Sequence, residues 1–83
     1  MMPTTDRTFL TRVDASHNVA RFYWLSIEPD LFGGYALQRS WGRLGTWGQT
    51  RSSQVHDLET ARSHINRLAM QKLRRGYVVD GQQ

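Results

Sequence analysis

The chain has 83 residues and no cysteine, which excludes a disulfide framework and any thiolate metal site. It has no apolar run near the roughly 18 residues that a membrane-spanning helix needs. Its first six residues lack the basic region and apolar block of a signal peptide. Because so short a chain supports only one core, we expect a single domain over residues 1–83, with its core at about 9–79 and frayed ends at 1–7 and 80–83. These absences predict a soluble cytoplasmic protein without a membrane partner.

Lysine is scarce, since ten of the eleven basic residues are arginine and Lys72 is the one lysine. Acidic residues are missing from two long segments. Residues 31–56 carry three arginines and no acid, and residues 61–79 carry five basic residues and no acid. The net charge of +4 is ordinary for a soluble domain. Arginine that is segregated in this way nevertheless favours the recognition of phosphate groups.

The patterns of metal sites and catalytic sites are also missing. His17, His56 and His64 are too scattered to share a metal ion, and no cysteine or paired carboxylate completes a ligand set. No spacing typical of a Ser-His-Asp or Cys-His nucleophile is present, and no glycine-rich phosphate loop connects a predicted strand to a predicted helix. The sequence therefore predicts a protein that is not an enzyme and that holds no metal or cofactor.

Alternation of apolar and polar residues predicts four strands, at residues 8–14, 21–28, 35–41 and 49–56. The second is rich in aromatic and β-branched residues on both faces, so we expect it to lie in the centre of a sheet. The fourth is polar, which predicts that one of its faces is exposed to water. In the loop before the third strand, Leu31 and Phe32 are expected to fold back over an edge of the sheet.

A helix is predicted from residue 58 to about residue 75. Asp57 is a good N-cap, an apolar stripe follows at helical spacing, and Gly76 supplies a left-handed C-cap. Residues 77–79 are expected to add a short edge strand or to pack beneath the helix. The pattern predicts an α+β fold, a single antiparallel sheet of four to five strands with one C-terminal amphipathic helix packed on one face.

The segment from Arg39 to Gln49 is the most distinctive part of the chain, because it holds two tryptophans, two arginines and three glycines. Tryptophan and arginine commonly bind planar or anionic partners, and glycine permits a tight turn. Tryptophan is also a normal core residue. A hairpin anchored in the core by Trp41 and Trp47 is therefore the competing interpretation, and it is favoured for Trp47.

The motif Trp41-Gly42-Arg43, followed by Leu44-Gly45-Thr46, resembles the signature of the WGR domain, which occurs in several poly(ADP-ribose) polymerases and in small bacterial proteins. The likeness extends over residues 10–77 and includes Arg21-Phe22-Tyr23, Tyr35-Ala36-Leu37-Gln38-Arg39, Gly48-Gln49, Ala61, Lys72 and Arg75-Gly76-Tyr77. The resemblance implies a small standalone bacterial protein, an antiparallel sheet with one packed helix, and a role in binding nucleic acid.

In the polymerases the domain lies against a DNA end or break, where the motif Trp packs on the terminal nucleotide and the motif Arg reaches the backbone. By position these roles fall on Trp41 and Arg43. This chain has no polymerase catalytic domain, so the coupling to ADP-ribosylation is not implied. The hypothesis is a non-catalytic module that binds nucleic acid, DNA more than RNA, at ends, breaks or junctions. The alternative for Arg43 is an ion pair with Asp14 or Glu28.

Further basic and amide side chains are candidates for the same surface. Arg39 shares the face of Trp41 by alternation, and Gln49 and Arg51 lie on the strand after the turn. A secondary basic patch is formed by Lys72, Arg74 and Arg75. Because cations at a helix C-terminus also offset the helix dipole, phosphate binding is the weaker interpretation of that patch.

A function of another class is a protein-interaction adaptor, since exposed aromatics with arginine are typical of interface hot spots. Trp24, Tyr35 and Trp47 are the residues that would contact a protein partner. The sequence carries no indication of the oligomeric state.

Overall fold

The computed structural model describes residues 6–80, which form five strands and one long helix. The elements in chain order are β1 (Arg7–Asp14), a 3-10 turn (Ala15–His17), β2 (Val19–Pro29), β3 (Tyr35–Arg43), β4 (Gln49–Val55), α1 (Leu58–Arg74) and β5 (Val78–Val79). All strand pairs are antiparallel, in the order β4-β3-β2-β1-β5. The predicted α+β fold is confirmed. Residues 1–5 and 81–83, most of the predicted frayed ends, lie outside the described residues.

The sheet has two different faces because side chains alternate along each strand. We call the side that α1 covers the helix face; Leu10, Leu25 and Leu37 are buried there. The other side, the open face, carries Phe22, which is buried, and Trp24, which is half-buried. β2 pairs with both β1 and β3 along its length, so the prediction that it is central is confirmed.

The helix begins where the sequence predicts and ends one residue early. The Asp57 side chain accepts hydrogen bonds from the Thr60 amide at 3.1 Å and the Thr60 hydroxyl at 2.8 Å. These bonds hold the pKa of Asp57 below its ordinary value. Gly76, with φ of 96°, ends the helix as predicted. Ala61 and Ile65 are buried against the sheet, which fixes the helix on one face. No helix within residues 6–80 is long and apolar enough to cross a membrane.

Both alternatives for residues 77–79 occur together. Val78 and Val79 pair with β1 as an edge strand, and Tyr77 is buried in the core cluster. The backbone amide of Asp80 donates to the Phe9 carbonyl at 2.8 Å. The last strand therefore ties the end of the helix back to β1.

Two expectations about the surface are wrong. Leu31 and Phe32 do not cover a sheet edge but are 95% and 85% exposed. The cause is a turn closed by Asp30, whose Oδ1 accepts from the amides of Phe32 at 2.8 Å and Gly34 at 3.0 Å and directs the apolar pair outward. β4 is exposed on both faces, not one, up to Val55. It is the edge strand beside β3.

Candidate nucleic-acid interface

Trp41 lies on the helix face near the end of β3, between Gln49 of β4 and Tyr23 of β2. Its ring is tilted by 39° to the Tyr23 ring, with the centroids 6.4 Å apart. The side chain is half-buried and packs against the edge of the core cluster. Trp41 therefore combines the two predicted roles, because the side chain packs against the core and is still partly accessible to solvent.

Arg43 is the last residue of β3, and its side chain is exposed. Its guanidinium donates to the Asn18 backbone carbonyl at 3.3 Å and to Asn18 Oδ1 at 3.1 Å. Asn18, with φ of 55°, ends the turn between β1 and β2. The alternative ion pair of Arg43 with Asp14 or Glu28 is not formed among residues 6–80. The Asp14 carboxylate accepts from the Ser16 hydroxyl and hydrogen-bonds His17.

The strand register places two more arginines beside Arg43. Arg43 is directly opposite Arg21 of β2, and Arg21 is directly opposite Arg12 of β1. Arg12 and Arg21 are not among the predicted site residues, because acidic residues balance their charge within residues 1–30 of the sequence. The alternation along β2 puts Arg21 on the same face as Tyr23, and this pattern could have indicated that Arg21 belongs to the site. Across the sheet, these residues form a row of three like charges.

A second row lies on the other side of Trp41. Arg39 of β3 is directly opposite Arg51 of β4, and the Arg39 guanidinium carbon lies 5.9 Å from the centroid of the Trp41 ring. Gln49 is opposite Trp41 between the two rows. We call this surface the basic face, and it consists of Trp41 with Arg12, Arg21, Arg39, Arg43 and Arg51.

Lys72 joins the basic face from the last turn of α1. Its Nζ lies 4.5 Å from the centroid of the Tyr23 ring and 5.4 Å from that of Tyr77. Burial lowers the pKa of Lys72, and the nearby positive charges of Arg75, Arg21 and Arg39 lower it further. The Lys72 ammonium therefore lies close to the basic face. Arg74 and Arg75 are exposed beside it at the helix end.

A groove between α1 and the sheet continues the basic face toward the middle of the helix. Its lining includes the apolar Leu37 and Leu68 and the polar Arg39, Ser53, His64, Arg67 and Gln71. Arg39 belongs to both surfaces, and Arg67 adds a further cation. Within residues 6–80, the arginines of the two rows have no carboxylate within 4.0 Å; the ion pair found there is Arg62 with Asp6, and His17 contacts Asp14 as a hydrogen-bond partner.

Trp47 is not in the core, and that prediction is wrong. The side chain is 96% exposed at the tip of the β3–β4 turn. The Thr46 amide and hydroxyl both donate to the Arg43 carbonyl, at 3.1 Å and 2.7 Å. Gly45 and Gly48 adopt positive φ angles of 89° and 68°. The turn thus closes on its own backbone, and the indole of Trp47 is left exposed.

The arrangement suits the binding of a polyanion that also carries flat groups, since cations surround an accessible edge of an aromatic ring. Residues 6–80 contain no cluster of three histidine, cysteine or acidic side chains that could hold a metal ion.

Comparison with known protein families gives a match to the WGR domain over residues 6–83. The chain belongs to the WGR domain family. The WGR domain is non-catalytic, and in poly(ADP-ribose) polymerases it is a nucleic-acid-binding type of module.

An uncharacterized protein, y4dW of Sinorhizobium fredii (strain NBRC 101917 / NGR234), is 45% identical to this chain over 71 residues. The match covers 86% of this chain and 35% of that protein, so the chain spans about a third of the length of the curated relative that it matches. No solved structure matches the chain significantly.

The geometry explains the glycine of the WGR motif in this chain. A Cβ atom built on Gly42 would lie 2.7 Å from the Gly48 Cα and 3.5 Å from the Phe22 ring, on the open face. Any side chain at this position would push the turn away from the sheet. Gly42 therefore lets the turn return close to β3, while Trp41 and Arg43 on either side of it point to the helix face.

Proposed function

We propose that this WGR domain binds nucleic acid, DNA in preference to RNA, through the basic face. The observation that carries the proposal is that arginines lie directly opposite one another on neighbouring strands. One row consists of Arg12, Arg21 and Arg43, and the other of Arg39 and Arg51. Like charges directly opposite one another destabilise a sheet. A bound phosphate chain would relieve that repulsion, since arginine pairs well with phosphate oxygens.

The preferred feature of the DNA in this proposal is an end, a break or a junction. The accessible part of Trp41 offers an apolar surface to a sugar or a base. In a continuous duplex the bases are stacked and their faces are covered, whereas a terminal nucleotide exposes one face. The membership in the WGR family supports this preference, because the motif Trp of the polymerase members has the corresponding role.

Fluorescence anisotropy with three duplexes of one sequence tests the proposal. We expect binding to a blunt linear duplex and to a nicked circle, and weaker binding to a closed circle. The log of the affinity should fall with the log of the salt concentration, by about 0.9 for each phosphate neutralised. A blunt RNA duplex of the same sequence is expected to bind more weakly than the DNA. Affinity that is absent, insensitive to salt, or equal for the open and closed forms would contradict the proposal.

Arg43→Ala is the variant that links this binding to the basic face. Loss of one phosphate contact should weaken binding about five-fold at 0.15 M salt. Arg7→Ala is the matched control, because Arg7 is an exposed strand arginine opposite Ser26 and therefore on the open face. It removes the same charge and should leave affinity nearly unchanged.

One observation favours a second candidate function, the binding of a protein partner. Of the aromatics predicted for it, Trp24 and Tyr35 are half-buried and Trp47 is exposed. The stronger support is the exposed pair Leu31 and Phe32, held outward by a fixed turn at the opposite end of β3 from the basic face. Under this candidate, Phe32→Ala releases a captured partner that Arg43→Ala retains.

A further inference from the structure

Trp47 is the most exposed large apolar side chain in the described part of the molecule, at 96%. The turn that carries it is held by two hydrogen bonds to the Arg43 carbonyl and by Gly48, which packs against Gly42 and the Phe22 ring. A large aromatic side chain left in water loses the stabilisation that burial would give it. An indole displayed on a fixed turn, with no surface of residues 6–80 covering it, is suited to a ligand that supplies the missing surface.

The turn is continuous with the basic face. It begins at Arg43 and is followed by Gln49, which is opposite Trp41. Gly48 lies against the backbone carbonyl of Trp41. Neighbouring Cα atoms are about 3.8 Å apart, so the Cα atom of Trp47 is that distance from the Cα atom of Gly48, which contacts Trp41. The turn that carries Trp47 therefore begins and ends at residues that adjoin the basic face.

We propose that Trp47 stacks on an unpaired nucleobase of the strand that the basic face holds. This inference rests on the proposed function and adds its ligand class, a DNA end with a single-stranded overhang. Paired bases inside a duplex cover both of their faces, whereas an unpaired base offers a free face to an aromatic ring. Because every base has such a face, the contact selects for unpaired nucleotides and not for a sequence.

The test compares a blunt duplex with the same duplex carrying a short overhang, by anisotropy at one salt concentration. Wild type should bind the overhang form more tightly. Trp47→Ala should weaken overhang binding about 5- to 140-fold, as expected for one lost stacking contact. It should leave blunt-end affinity and the salt dependence unchanged. Trp47→Phe keeps a ring and should retain most of the overhang preference. Because the side chain is exposed, the urea midpoint should not change in either variant.

Phe32→Ala is the matched control, since Phe32 is an exposed aromatic on the turn at the other end of β3. It should bind both duplexes as wild type does. The inference is overturned if Trp47→Ala binds the overhang duplex like wild type, or if it weakens both duplexes equally. Salt-dependent wild-type binding without any overhang preference refutes this inference alone, whereas no binding to either duplex refutes the proposed function with it. Loss of a protein partner with DNA binding intact would assign Trp47 to protein docking instead.

Discussion

Replacing Arg21 by glutamine should stabilise the free protein while weakening its binding to nucleic acid. Arg21 is the middle member of its row, directly opposite Arg12 and Arg43, and it is exposed. Two unit charges roughly 8 Å apart in water repel by about 0.5 kcal/mol. At 0.15 M salt the Debye length is about 8 Å, which reduces each repulsion to about 0.2 kcal/mol. Two neighbours then give about 0.4 kcal/mol.

Urea denaturation of Arg21→Gln measures this gain directly. We expect the free energy of unfolding to rise by about 0.4 kcal/mol at 0.15 M salt and by about twice that near 0.01 M, where screening is weak. For a domain of this size, a gain of about 0.4 kcal/mol corresponds to a thermal unfolding midpoint about 2–3 °C higher. Most substitutions destabilise, so a gain in stability is a distinctive result. Binding to a blunt duplex should weaken about five-fold at 0.15 M salt.

Arg7→Gln is the control for both measurements, because Arg7 faces the open side opposite Ser26. It should change neither stability nor affinity appreciably. The reasoning is refuted if Arg21→Gln is less stable than Arg7→Gln at low salt, or if it binds the duplex as tightly as wild type. Either result would mean that the facing arginines do not repel one another or do not contact the ligand.

Two further predictions concern the turns at the two ends of β3. Gly48→Ala should lower the free energy of unfolding by about 1–3 kcal/mol in urea, because the new methyl group would meet the Trp41 carbonyl at a positive φ angle; wild-type stability would contradict the described turn. The pKa of Asp30 lies below its ordinary 3.8, chiefly because the Gln54 amide donates to its carboxylate. The stabilisation that the ionised Asp30 carboxylate gives is complete above pH 3.8, and it is lost as the pH falls through the lower pKa of the folded state. The urea midpoint should therefore fall less steeply with acid in Asp30→Asn than in wild type. An identical acid dependence of the two proteins would refute this assignment.

Much of the fold could be predicted from the sequence because its determinants are local. Alternation around Tyr23 and Leu25 identified β2 and its faces, and Asp57 and Gly76 marked the two ends of the helix. Burial of Leu25 follows from that alternation once a helix covers one face. Local patterns of this kind operate within one strand or one helical turn, so no knowledge of strand pairing is needed.

The candidate site could be predicted only in part, since it depends on pairing between strands. Arg12 and Arg21 join the site because of the register between β1, β2 and β3, which charge sums along the chain do not contain. Trp47 was assigned to the core because tryptophan usually lies there. Its position between Gly45 and Gly48, which both adopt positive φ angles, removes it from the alternation of a strand.

The salt dependence of DNA binding in two matched arginine variants tests the central claim most directly. Arg43→Ala and Arg7→Ala remove the same charge from opposite faces of one sheet. On a blunt duplex the account predicts that the log–log slope for Arg43→Ala is smaller in magnitude than that of wild type by about 0.9, and that the slope for Arg7→Ala equals that of wild type. Equal slopes for the two variants would contradict the claim that the face around Trp41 holds the phosphate chain.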